Sequence, residues 1–188
     1  MPYGEHSNAE ERPKVIRFLI NLVLVVVVVL VLQFLLREFV FQAYNVPSGS
    51  METTIQTDDM IFSEKVSYYF SAPKQGDIIT FEDPETPGRT LVKRIIAVGG
   101  QSVNLQDGRV VIDGVPLDES YTNGKPSNPL PGTTITYPYV VPEGYVWVMG
   151  DNRTNSSDSR AFGAIKVSSI TGKACVCYWP IDHIGLLN

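Results

Sequence analysis

The chain should fold as a mainly β protein preceded by one membrane-spanning helix, and three features of its 188 residues lead there. One uninterrupted apolar block lies near the N-terminus. Beyond it, apolar residues come in short runs bounded by turn residues, with little of helical period. The composition, 44% hydrophobic and 19% charged, is that of a globular chain enriched by the block and not of a disordered one.

The block runs from Phe18 to Leu36 with only Asn21 and Gln33 as polar interruptions. At about 1.5 Å per residue it matches a hydrocarbon core of about 30 Å, so residues 18–37 read as a transmembrane helix. A cleaved signal peptide has a shorter apolar region ending at small residues, whereas this one ends in Arg37, Glu38 and the bulky Phe39, Val40 and Phe41. A buried soluble helix fits poorly with so many valines. Arg12, Lys14 and Arg17 precede the block and only Arg37 closely follows it. The positive-inside rule then leaves residues 1–17 as a short cytoplasmic tail and exports residues 38–188 to the outer face of the cell membrane. Phe39, Phe41 and Tyr44, with Tyr68, Tyr69 and Phe70, are aromatics suited to a lipid interface, so membrane lipid is an expected partner.

The formal charge is -5, and the three acidic residues before Phe18 are matched by three basic ones, so the acidic excess lies in the exported part. Nucleic acid is excluded as a partner on that ground. Exported residues 38–188 suffice for one domain with a modest core. Its strand candidates are 60–66, 77–82, 90–98, 145–149 and 173–179. Asp107-Gly108 and Asp113-Gly114 are tight-turn signals, the first a hairpin between SVNLQ and RVVI. Residues 124–144 carry Pro126, Pro129, Pro131, Pro138 and Pro142, which marks an irregular loop or an edge crossing. Cys175 and Cys177 are the only cysteines. Alternate strand residues stand at the limit of disulfide geometry, so they are expected as two small side chains packed on one face.

Few residues are left for chemistry. A Ser-His-Asp triad would need His183, since the only other histidine, His6, falls in the tail. A zinc site of Cys175, Cys177 and His183 matches no common ligand spacing. Pro47-Ser48-Gly49-Ser50 alone is a turn, yet a serine exposed in such a turn becomes a nucleophile when a base lies within reach. In TLVKRIIAV, alternation puts Leu91, Lys93 and Ile95 on one face and Val92, Arg94 and Ile96 on the other. A lysine on an apolar face loses basicity by desolvation and can act as a general base; snorkelling to solvent is the plainer alternative. The run 149–163 fails the calcium-loop spacing at Arg153. Its Asp158 and Arg160, with Asp151 and Arg94, read as an ion-pair scaffold.

Three runs in this order after one apolar helix resemble the type I signal peptidases: Pro47-Ser48-Gly49-Ser50-Met51, Lys93-Arg94, and Gly150 to Arg160. The resemblance implies Ser50 as nucleophile and Lys93 as its base. It implies the Ser48 hydroxyl and Ser50 N–H as the oxyanion hole, and Ser156 bonded to the Lys93 amine. Met51, Ile55 and Leu91 would wall the pocket for the first residue before the cut, and Tyr44, Val46 and Val92 that for the third. The implied fold is a pair of antiparallel sheets shared with the self-cleaving repressors of the SOS response. The implied substrates are signal peptides of secreted preproteins, and no cofactor is implied. Only some 55 residues separate Arg94 from Gly150, as in minimal members without a large inserted domain. The chain departs from the pattern at Thr53, where a proline is usual, at Ala97 and Gly99 after the base strand, and at Thr154. An inactive membrane-tethered β module would not need both Ser50 and Lys93. A self-cleaving protease would normally carry a DNA-binding domain.

Overall fold

A computed structural model describes residues 14–187; the tail at 1–13, with His6 and Arg12, lies outside the described residues. The chain divides into two units, residues 1–38 and 39–188. In the first, helix α1 (Lys14–Phe39) has no buried residue. It is long and apolar enough to cross a membrane.

The second unit is mainly β, with strands β1 (Phe41–Asn45), β2 (Met60–Glu64), β3 (Ile78–Glu82), β4 (Thr90–Val98), β5 (Ser102–Gln106), β6 (Arg109–Ile112), β7 (Val115–Pro116), β8 (Tyr139–Val140), β9 (Tyr145–Met149), β10 (Ile165–Lys166), β11 (Ile170–Trp179) and β12 (Gly185–Leu186). Two single-turn helices interrupt them, α2 (Ser67–Phe70) after β2 and α3 (Ser159–Phe162) after β9. The large sheet runs β1-β2-β11-β3-β4-β9-β10 with β12 beside β11, and the small one runs β7-β6-β5-β8. All its described pairings are antiparallel.

Period-two alternation sorts the core. On β3, Ile78 packs with Val46, Met51, Ile55 and Ile61 on one face, while Ile79 and Phe81 pack with Ile95 and Val148 on the other. Trp147 and Met149 of β9 meet Val103 and Val110, which joins the small sheet to the large one. Asp107 and Gly108 both have positive φ, as the β5–β6 turn requires, and so do Asp113 and Gly114 before β7. The proline-rich stretch supplies only the two-residue β8.

Two expectations need correction. Cys175 falls at a bulge where β11 slips its register against β2 between Ala174 and Val176. Cys177 is buried in the core and Cys175 only partly covered, so they do not pack as an alternating pair. Among the aromatics, Tyr68 turns inward to donate to Asp77 Oδ2 at 3.1 Å, and Tyr44 is half-buried. Phe39, Phe41, Tyr69 and Phe70 are exposed.

Candidate active site

Ser50 sits in the 3-10 turn Gly49–Met51, anchored by Met51, which is fully buried. Lys93 pairs with Ile79 on one side of β4, whereas the β4–β9 ladder ends at Arg94 opposite Met149. The edge of β4 beside Lys93 is therefore not covered by β9, and the Ser50 hydroxyl comes within reach of the amine there. Lys93 Nζ donates to Ser50 Oγ at 2.8 Å and to the Val92 carbonyl at 2.9 Å. The lysine is 3% exposed, and burial pushes its pKa down to about 8 against the opposing pull of the Asp158 and Asp151 carboxylates. A neutral amine at this distance can accept the serine proton. Ser48 Oγ stands 3.5 Å from Ser50 Oγ.

The run 149–160 builds the wall behind the pair. Asp158 accepts Arg160 Nε and Nη2, both at 2.9 Å, and its Oδ2 also accepts the Gly150 N–H at 3.1 Å. Arg94 Nε and Nη2 fork onto Asp151 at 2.9 and 2.8 Å, and Thr54 Oγ1 donates to the same carboxylate at 2.5 Å. These bidentate pairs are almost wholly removed from solvent. Gly150 has to be glycine, because a Cβ there would come within 2.4 Å of the Ser50 carbonyl oxygen and 2.3 Å of Ser156 Oγ.

Ser156 departs from expectation. Its hydroxyl is buried against Gly150 and finds no hydrogen-bond partner among the described residues. The Lys93 amine donates instead to Ser50 and to the Val92 carbonyl. Of the pocket residues, Val46, Met51 and Ile55 share one cluster, with Tyr44 and Val92 packed against it, whereas Leu91 packs with Phe81 and Ile95 in the other. Successive strand residues point to opposite faces, which separates Leu91 from Val92. His183 does not approach Ser50: its Nδ1 lies 2.7 Å from Asp59 Oδ1, a contact that raises its pKa.

Sequence reasoning overlooked two features. Asn152 holds the Ser50 turn by two bonds, its N–H to the Ser50 carbonyl at 3.0 Å and its Nδ2 to the Gly49 carbonyl at 2.8 Å. It lay inside a run already singled out, so its amide could have been noticed. A chain of hydroxyls crosses the large sheet: Tyr44 Oη to Thr171 Oγ1 at 3.4 Å, Thr171 to Thr80 at 2.9 Å, and Ser63 with Thr80 at 2.8 Å. No local signal announces it, because strands distant in sequence bring these residues together.

A family model described as "Signal peptidase, peptidase S26" matches residues 19–179. A Synechocystis protein named probable signal peptidase I-1 is 41% identical over 168 residues, covering 86% of this chain and 83% of its own. A signal peptidase I of Leptolyngbya laminosa is 36% identical over 160 residues, with 81% and 76% covered. A signal peptidase I of Mycobacterium tuberculosis is 32% identical over 232 aligned positions, with 95% and 79% covered. That alignment is longer than this chain, so the mycobacterial relative carries inserted segments.

Proposed function

Since the chain belongs to the peptidase S26 family of signal peptidases, we propose that it removes signal peptides from exported preproteins with Ser50 as nucleophile and Lys93 as general base. The enzyme is a serine endopeptidase of the signal peptidase I type. The observation that carries the assignment of roles is the 2.8 Å bond from the buried Lys93 amine to Ser50 Oγ. Neutral Lys93 takes the serine proton as Oγ attacks the scissile carbonyl, then passes it to the leaving amine. A water, deprotonated by the same lysine, hydrolyses the acyl-enzyme. The Ser50 N–H and the Ser48 hydroxyl face the developing oxyanion, and Asp151, Asp158, Arg94 and Arg160 fix the wall behind it.

The substrate adds as an extended strand between two free edges, β1 and the part of β4 beyond its ladder with β9. Alternate side chains then enter the protein, so the first and third residues before the cut are read together. By resemblance Val46, Met51 and Ile55, with Tyr44 and Val92 packed beside them, would back apolar sites without a charge, Met51 and Ile55 being fully buried beneath that surface. A preprotein series with Ala, Gly or Ser at those positions should be cut well, and Leu, Phe or Lys at least about 100-fold more slowly in kcat/KM. Equal rates across the series would show that this groove does not select signal peptides.

Helix α1 anchors the enzyme in the cell membrane with its N-terminus in the cytoplasm and the β unit outside, supported by the Arg12, Lys14 and Arg17 bias. Protease added to intact spheroplasts should then digest the β unit. Protection of that unit until the cells are lysed would reverse the orientation.

A further inference from the structure

Residues 119–127 leave the small sheet through the 3-10 turn Ser120–Thr122, and they touch the nucleophile loop and its supporting wall at several points. The Thr53 hydroxyl donates to the Tyr121 carbonyl. Thr53 has a φ of 95°, which the proline usual there could not adopt, and proline has no hydroxyl to offer. The Tyr121 ring lies under the Arg94 guanidinium, 4.1 Å from Cζ to the centroid, on the arginine that forks onto Asp151. Tyr121 Oη donates to Glu119 at 3.0 Å, and Glu119 in turn pairs with the buried Arg153. Lys125 Nζ donates to Asn152 Oδ1 at 2.8 Å.

We infer that residues 119–127 are a strap over the wall of the active site, with Tyr121 and Lys125 as positioning residues for the Ser50–Lys93 pair. The inference rests on the assignment of Ser50 and Lys93 proposed above. Lys125 can only donate, so it fixes which end of the Asn152 amide faces it and leaves Nδ2 aimed at the Gly49 carbonyl. The same asparagine holds the Ser50 carbonyl through its N–H. Tyr121 works on the other flank, where its ring holds Arg94 on Asp151 and Asp151 accepts Thr54 of the nucleophile loop. Loosening either flank lets Ser50 Oγ drift from Lys93 Nζ, which acts on the chemical step more than on strand addition at β1 and β4.

The test uses the full chain in detergent with a soluble preprotein, measuring kcat and KM per folded enzyme alongside thermal unfolding. Tyr121→Leu and Lys125→Met should each lower kcat roughly 10- to 100-fold with KM changed less than about twofold. Tyr121→Phe, which keeps the ring, and Lys125→Arg, which keeps the donor, should recover most of that loss. A fall in unfolding temperature with kcat per folded enzyme intact in Tyr121→Leu and Lys125→Met would overturn the strap and leave a purely structural loop. A Phe or Arg variant as impaired as its partner would overturn it equally. Ser50→Ala run in parallel separates the two claims: if it is active the dyad fails, and if it is dead while the strap variants are fully active only the strap fails.

Discussion

Lys93→Ala should lower kcat/KM on a preprotein by on the order of 10⁴-fold or more, and Ser50→Ala should do the same. The two groups act as one unit, so the double variant should be no worse than either single one. The pH dependence follows from the burial of the amine. Only neutral Lys93 can accept the Ser50 proton, and burial places its pKa at about 8. The rate should therefore rise with pH through a midpoint near that value, well below the ~10.4 of free lysine. His183→Ala should leave kcat unchanged, since its ring is occupied by Asp59 on one side. Activity surviving in Lys93→Ala, or an ascending limb centred where free lysine titrates, would remove Lys93 from the mechanism.

Asp158→Ala should cost about 3–5 kcal/mol of stability, which for a unit of this size lowers the unfolding temperature by roughly 10 °C. The charge of Arg160 is 1% exposed and both of its forked bonds end on Asp158, so the substitution strands a guanidinium away from water. The Gly150 N–H loses its acceptor as well, and with it the turn that lies against the Ser50 carbonyl. A control is built into the fold. Asp83 is itself covered but pairs with Arg89, whose side chain is 56% exposed, so Asp83→Ala leaves a guanidinium that water can solvate and should cost less than Asp158→Ala. Thermal unfolding of the two variants side by side decides the matter, and an Asp158→Ala enzyme no less stable than Asp83→Ala would show that the pair is not part of the framework.

What the sequence made legible was local. Alternation located β3, β4 and β9, and Asp107-Gly108 and Asp113-Gly114 gave the turns, because each depends on residues a few positions apart. The resemblance alone groups Ser50, Lys93 and the acidic-basic box. Alternation failed at β11, where a bulge changes the facing of Cys175 and no residue type marks the slip. It also put Lys93 on the same face as Leu91 without saying that β9 stops short and opens the edge through which the amine reaches Ser50. The contacts of Tyr121, Lys125 and Thr80 were hidden for a different reason: each joins segments far apart in the chain, so no window of sequence contains both partners.

The small sheet has one more consequence, for how enzymes of this kind can change in size. Strands β5 to β8 are consecutive in the chain and lie between β4 and β9, which pair directly, with Val98 opposite Val146. Whatever lies between those two residues is thus a closed excursion whose ends are pinned by the large sheet itself. Gly114, at the turn into β7, faces open space. Each doubling of a loop adds only about 0.6 kcal/mol of closure entropy, so extra chain inserted there leaves the register of β4 and β9, and with it the placing of Lys93, undisturbed. The same number of residues inserted ten positions later would part Tyr121 and Lys125 from Arg94 and Asn152. Growth in this lineage therefore has a permitted address and a forbidden one within a dozen residues of each other, and the longer mycobacterial relative is the natural place to look for which was used.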